Sequence, residues 1–383
     1  MYLLLILFMV PATVAAAQQT AAETHVAAGS ELAGQGKLDE AILEFREAIR
    51  LNPGYAEAHY DLGAALFELD NGVDEALAEF REALRIKPED AEIHNTFGLA
   101  LLEAGNVDEA MREYREALRI NPKYAEARYN LGNALDDQGK LDEAIAEYRE
   151  ALRINPGLAE AHYNLGVALK RQGKRDEAMH EYREALRINS GLAYAHLALG
   201  KAVDELGQRD QAMSEYREAL RINPNYGEAH YNLGIALRDQ GKLDEAIAEY
   251  RQALRVNPHH AEAYNNLGVA LRDQGKLDEA IVEYHRALWI NPNDAIIHNN
   301  LGAALKDQGA VEEAIPEYQE ALRINPGFAL AHYNLGDSLR VQGDRPGAER
   351  EFRDFLRLVQ SSPDSKERIE NARRILSELE RPN

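Results

Sequence analysis

The sequence predicts an all-α fold, an α-solenoid of ten stacked helix pairs, on three observations. First, proline recurs in Asn-Pro or Lys-Pro at Pro53, Pro88, Pro122, Pro156, Pro224, Pro258, Pro292 and Pro326, spaced by 34 residues, or 35 once, with Ser190 in the slot between Pro156 and Pro224. Second, small and aromatic residues return at fixed places within that period. Third, each period reads as two helices. The first runs through a segment like Ala-His-Tyr-Asn-Leu-Gly-Val-Ala-Leu and is closed by a glycine. The second begins at Leu-Asp-Glu-Ala, whose acids suit a helix N-terminus, and stops near Arg-Ile-Asn-Pro.

Ten repeats tile residues 22–362: 22–55, 56–90, 91–124, 125–158, 159–192, 193–226, 227–260, 261–294, 295–328 and 329–362. With the proline at position 32, position 8 is glycine in all ten, from Gly29 to Gly336, and position 20 is alanine, from Ala41 to Ala348. Position 24 is aromatic throughout: Phe45, Phe80, seven tyrosines from Tyr114 to Tyr318, and Phe352. Position 27 is alanine in nine repeats, from Ala48 to Ala321. Glycine and alanine let two helix axes approach closely, and the aromatic ring fills the remaining gap.

This pattern of Leu-Gly, a central alanine, an aromatic four residues later and a terminal proline resembles the tetratricopeptide repeat. The resemblance implies a right-handed superhelix whose first helices line the concave side. His replaces the family's common Trp at position 4. A solenoid needs a polar cap, and residues 363–383 supply one. There Asp364 to Glu380 reads as a charged helix with Ile369, Ala372, Ile375, Leu376 and Leu379 on one stripe. Phe355 replaces the position-27 alanine beside that cap. Pro346 falls at a helix start, where proline is tolerated, and Pro316 about one turn into its helix, where it costs one backbone bond.

The start of the chain has another character. Leu3 to Val10 is an unbroken apolar run and Ala15-Ala16-Ala17 precedes Gln18, so residues 1–17 read as a secretory signal peptide, with 18–21 a short linker. The run lacks a Lys or Arg at its start. The expected location is periplasmic or extracellular; an uncleaved leader would instead leave an N-terminal membrane anchor, and a mis-assigned start a cytoplasmic protein.

Composition excludes several functions. Net charge is −22, from 43 Lys plus Arg against 65 Asp plus Glu, which argues against binding nucleic-acid backbones or anionic membrane surfaces. There is no cysteine, which removes disulfides, thiolate nucleophiles and cysteine-based metal centres. No phosphate loop, nucleophile elbow or metal-ligand spacing occurs, so no catalytic residue, metal or cofactor is expected. The eight position-4 histidines (His25, His59, His94, His162, His196, His230, His298, His332) lie one repeat apart, on the order of 10 Å, too far to share one ion. They read as half-buried packing residues. On the second helix, Glu at position 23 and Arg at 25 and 29, as in Glu147 to Arg153, read as a solvated face of helical charge pairs. Repeat eight departs from it with His285, Arg286 and Trp289, the only tryptophan, which makes His285 and Trp289 a candidate outer-face contact.

The candidate binding position is 6, asparagine in six repeats: Asn130, Asn164, Asn232, Asn266, Asn300 and Asn334. Asparagine is a mediocre helix former, so propensity gives little reason to repeat it mid-helix. Its amide offers an acceptor and donors to an extended peptide backbone. About 10 Å per repeat matches about three extended residues at roughly 3.3 Å each. The pattern resembles the asparagine ladder in the superhelical repeats of O-linked N-acetylglucosamine transferase, which implies a hold on peptide chains. Residues 329–383 are too few for that family's catalytic domain. The same asparagines could equally bond within or between repeats, or be copied by duplication. Around them stand Tyr231 and Tyr333 at position 5 and Arg238, Arg272, Lys306 and Arg340 at position 12, while Ile296 and Leu330 make position 2 apolar. This groove suits an acidic or mixed peptide. Position 5 is never Lys and position 6 never Arg, which disfavours the family's carboxylate-gripping mode.

The expected function is a non-catalytic interaction module that binds an extended segment of a partner protein. Its rivals are a scaffold that docks folded partners or copies of itself, and a substrate-recruiting subunit of a separate enzyme. Coupling between repeats is expected to be weakest where Ser190 replaces proline and Ala198 interrupts the asparagines. Hydrogen exchange should start there or at the chain ends; uniform protection would refute this.

Overall fold

The computed structural model describes residues 2–69, 72–359 and 366–379, with side chains from residue 17 onward, and all the regular elements among them are α-helices. The chain divides into two compact halves, Met1–Ser190 and Gly191–Asn383, the boundary falling at the slot that lacks proline. In the N-terminal half the helix pairs are α1 (Tyr2–Gly34) with α2 (Leu38–Leu51), α3 (Ala56–Phe67) with α4 (Val73–Ile86), α5 (Ala91–Glu103) with α6 (Val107–Ile120), α7 (Ala125–Asp137) with α8 (Leu141–Ile154), and α9 (Ala159–Arg171) with α10 (Arg175–Ile188). In the C-terminal half they are α11 (Ala193–Asp204) with α12 (Arg209–Ile222), α13 (Gly227–Asp239) with α14 (Leu243–Val256), α15 (Ala261–Asp273) with α16 (Leu277–Ile290), α17 (Ala295–Gln308) with α18 (Val311–Ile324), and α19 (Ala329–Gln342) with α20 (Arg345–Leu358). The half ends on α21 (Lys366–Leu379).

The pairs form because the glycines leave room for the rings. A Cβ at Gly132 would lie 2.6 Å from the Tyr148 ring, and one at Gly268 would lie 2.7 Å from the Tyr284 ring. Each ring packs against its glycine and is fully buried, which stabilises the pair by about 1.5–3 kcal/mol. Alanines at 20 and 27, such as Ala246 and Ala253, are buried beside it. In nine repeats, all but the second, the glycine that ends the first helix adopts positive φ, from 73° at Gly139 to 94° at Gly343, which frees the chain to reverse.

The C-terminal end is built as the stripe predicts. Ala372, Ile375 and Leu376 of α21 are buried, and the Phe355 ring meets that of Tyr333 edge-on at 5.2 Å. Asp364 and Glu380, the expected limits of the cap, lie outside the described residues. Pro346 sits in the first turn of α20, where Asp344 accepts from the Gly347 N–H at 3.0 Å. Pro316 lies inside α18, which continues through it. At the other end α1 is one helix across the expected cleavage point, while the side chains of residues 1–16 lie outside those described. No helix among the described residues is long and apolar enough to cross a membrane.

Candidate functional site

The position-6 asparagines form a ladder between repeats. Each side-chain N–H reaches the position-5 residue one repeat earlier: Asn130 donates to Asn95 at 2.9 Å, Asn164 to Tyr129 at 3.2 Å and Asn266 to Tyr231 at 3.0 Å. Asn300 donates to Asn265 and Asn334 to Asn299, both at 2.9 Å. Asn164 also donates to Asn133 at 2.8 Å. Thr96 takes the same place against Tyr60 at 3.3 Å, and Asn371 of the cap donates to Tyr333 at 2.6 Å, so α21 continues the row. Asn232 is the exception: residue 197 is leucine, and Asn232 donates instead to the Glu228 carbonyl at 2.7 Å. Asn130 is buried and the other five are half-buried.

This arrangement narrows what the asparagines can offer a ligand. Their donors are committed to the fold, so the two-sided backbone clamp expected from the sequence is reduced to its acceptor side. The side-chain carbonyls of Asn164, Asn232 and Asn334 accept no hydrogen bond among the described residues. That of Asn266 meets Arg238 at 3.5 Å, a weak contact. The sequence holds a signal for the rung: a polar residue at position 5 precedes, by one repeat, each position-6 asparagine except Asn232.

The basic residues at position 12 face acids of their own chain. Arg272 meets Asp307 at 3.0 Å, Arg340 meets Asp337 at 2.7 Å, and Lys306 pairs with the same Asp337. Arg238 lies 3.3 Å from Asp239. Burial pushes the Asp337 carboxyl up, but Lys306 and Arg340 outweigh it and hold it below the usual carboxylate range. The basic residues of the groove are therefore locally neutralised. In the N-terminal half burial drives the Asp61 carboxyl up to about 6, against a hydrogen bond from Ser30. Ile296 is exposed on the first-helix side and Leu330 is half-buried.

A second row gives the half-buried position-4 histidines polar partners and corrects the reading of position 23. In eight repeats the histidine Nδ1 lies 2.5–2.7 Å from the position-23 glutamate of its own repeat. In five of these, His59, His94, His230, His298 and His332, Nε2 lies 3.0–3.2 Å from the proline carbonyl of the preceding repeat. The histidines tie two helices and a loop, and the glutamates belong to the interior of the pair rather than to a solvated face. Arg128 replaces histidine in repeat four and makes both bonds, to Glu147 at 2.9 Å and to the Pro122 carbonyl at 3.3 Å. The remaining charges behave as expected: arginine at 29 pairs with the acid at 26 at 2.6–2.9 Å on the exposed surface. Such pairs contribute about 0–1 kcal/mol each.

Repeat eight is explained by the same row. Tyr264 stands in place of histidine, and Glu283 is held by Arg286 at 3.0 Å, with the guanidinium 6.0 Å from the Tyr264 ring centre. Arginine at 26 removes the need for arginine at 29, where Trp289 stands 77% exposed and stacks on His259 at 6.3 Å. His285 is exposed beside it in sequence but has no part in that stack. His332, Glu351 and Asp354 converge within 4.8 Å, the one such cluster among the described residues. Their atoms are engaged already: His332 with Glu351 and the Pro326 carbonyl, Glu351 with Arg350 at 3.2 Å, and Asp354 with Arg357 at 2.9 Å. The cluster is an ion-pair network.

Stacked helix pairs with polar rows between successive pairs define a helical-repeat protein, a fold typical of protein–protein interaction modules. Tetratricopeptide repeat models match residues 159–192, 197–254 and 231–295, and TPR repeat models match 29–70, 98–139, 132–173 and 304–343. The chain belongs to the tetratricopeptide repeat family. No curated relative matches it. In fold it is similar to pilF of Pseudomonas aeruginosa, with 21% identity and a TM-score of 0.51 over 56% of this chain and 96% of that one. It is also similar to the Cut9–Hcn1 hetero-tetramer of APC/C, with 17% identity and a TM-score of 0.50 over 83% of this chain and 76% of that one.

Proposed function

We propose that the chain is an exported, non-catalytic interaction module whose first helices hold an extended segment of a partner protein. The observation that carries this reading is the half-buried side-chain carbonyls of Asn232, Asn266, Asn300 and Asn334, presented one per repeat on consecutive first helices. With the amide donors held by the preceding repeat at Asn266, Asn300 and Asn334 and by the Glu228 carbonyl at Asn232, these oxygens are oriented acceptors for backbone N–H groups, and backbone recognition fits a partner of varied sequence. The neutralised position-12 residues argue for a mixed rather than an acidic peptide. The exposed Trp289 favours a second reading, a scaffold that docks a folded protein or another copy of itself through its outer face.

Selection of a random-peptide display library on the chain tests the first reading. A parallel selection uses a variant with Asn232, Asn266, Asn300 and Asn334 changed to Ala, after its helicity is checked. A control, Tyr231→Phe, breaks one rung and leaves every asparagine in place. Peptides kept by the parent and control but lost by the variant support the groove. Equal enrichment by all three places binding elsewhere, and no enrichment favours the scaffold. Mass spectrometry of the exported protein tests the leader: a chain starting at Gln18 is expected, and retention of residues 1–17 refutes cleavage.

A further inference from the structure

We propose that His59, His94, His230, His298 and His332 of the position-4 row form a pH-sensitive clasp between successive repeats, in which each must carry a proton on both ring nitrogens and releases the preceding repeat when it loses one. The chemistry follows from what faces the ring. A proline carbonyl can only accept a hydrogen bond, and so can an ionised glutamate. At His59, His94, His230, His298 and His332 one nitrogen faces each kind of acceptor. A neutral imidazole has a single N–H, so loss of one proton sets a lone pair against an oxygen and breaks one of the two bonds. The bond to the proline carbonyl is the one that crosses between repeats.

Two substitutions within the row point the same way. Arg128 reproduces both bonds with a group that stays charged at every relevant pH. Where repeat eight has Tyr264, which carries no charge, a cation is supplied from elsewhere as Arg286. Thus every repeat sets a nitrogen-bearing side chain against its position-23 glutamate: eight histidines, Arg128 and Arg286.

The surroundings reinforce the charge. The acids Glu82, Glu116, Glu320 and Asp354 at position 26 lie near His59, His94, His298 and His332, and each is itself paired with the arginine at 29. Repeat seven has Gln252 there, so His230 faces Glu249 alone. Burial works to lower the His59 and His94 imidazoles, but the glutamate and the proline carbonyl outweigh it and raise both above the ordinary histidine value. At His332 the Glu351 hydrogen bond is the largest influence, again upward. Since the folded state binds these protons more tightly, their contribution is complete below about 6.5 and is lost as pH rises through the raised values. Asp61, which rises only to about 6, finishes titrating near the bottom of that window.

The test is thermal unfolding of the full chain from pH 6.5 to 9.5, beside a variant with His59, His94, His230, His298 and His332 all changed to Arg on the pattern of Arg128. The parent Tm should fall by on the order of 5 °C across the window, and the variant by much less. A parent Tm that stays level or rises overturns the clasp, as does an equal fall in the variant. Should the variant not fold, nitrogen-edited NMR of the parent at pH 7 decides: both ring nitrogens protonated at these five residues supports the clasp, and a single neutral tautomer refutes it.

Discussion

Repeats seven and eight share 23 of their 34 residues yet hold their second-helix glutamate in different ways. Repeat seven uses His230, which reaches Glu249 at 2.5 Å and the Pro224 carbonyl at 3.0 Å. Repeat eight uses Arg286 from the same helix as Glu283, at 3.0 Å, and has no histidine to reach back across the loop. Beneath this difference the packing is shared: Gly234 lies under Tyr250 as Gly268 lies under Tyr284, each leaving 2.7 Å for an added Cβ. The glycine-on-ring contact is therefore the fixed element of a repeat, and the source of the cation is exchangeable.

The largest expected effect attacks what the two repeats share. Gly234→Ala or Gly268→Ala should each destabilise by about 1–3 kcal/mol, because the methyl meets a buried ring with no space to retreat. Gly336→Ala should cost clearly less, since its nearest contacts are at 3.3 Å. Hydrogen exchange resolved by repeat is the suitable measurement, since a long array need not unfold in one step. Equal costs at Gly268 and Gly336 would show that the ring contact is not limiting.

A smaller effect separates the two repeats. Arg286→Ala should leave Glu283, 13% exposed, without its cation and cost about 1–3 kcal/mol. Exchange protection at the junction of repeats seven and eight, where Tyr264 stands in place of the clasping histidine, should stay level between pH 6.5 and 9.5, while that at the junction of repeats nine and ten, held by His332, declines. Changing Tyr264, Arg286 and Trp289 together to His, Glu and Arg should keep the stability within about 1 kcal/mol and give repeat eight the pH dependence of its neighbours. The three single changes should each cost more than the triple one; simple additivity would show that these positions do not act as a set.

The smallest effect concerns the ring's polar end. The Tyr250 hydroxyl is buried and finds no hydrogen-bond partner among the described residues, while Phe45 and Phe80 fill the same position elsewhere. Tyr250→Phe should change stability by no more than about 0.5 kcal/mol, or raise it, as read by the same exchange experiment. A loss above about 1 kcal/mol would show that the hydroxyl is satisfied in solution.

The sequence by itself determined the helix pairs, the glycine-and-ring contact and the capping helix. These follow from local spacing: which residues share one face of a helix, where glycine ends it, and where small residues oppose an aromatic one. The partners of the polar rows were decided by tertiary structure alone. Glu249 looks like one member of an exposed charge pattern until α13 crosses α14 and brings His230 to it. Asn266 looks like a free amide until the offset between repeats sets it against Tyr231, and Arg272 looks like a groove cation until the same offset presents Asp307. Each of these contacts joins residues 19 to 35 positions apart. Such contacts depend on crossing angle and stacking offset, which no single helix pattern encodes. In a regular array every repeat carries the same residues, so only departures such as Arg128 and Tyr264 reveal which positions answer to one another.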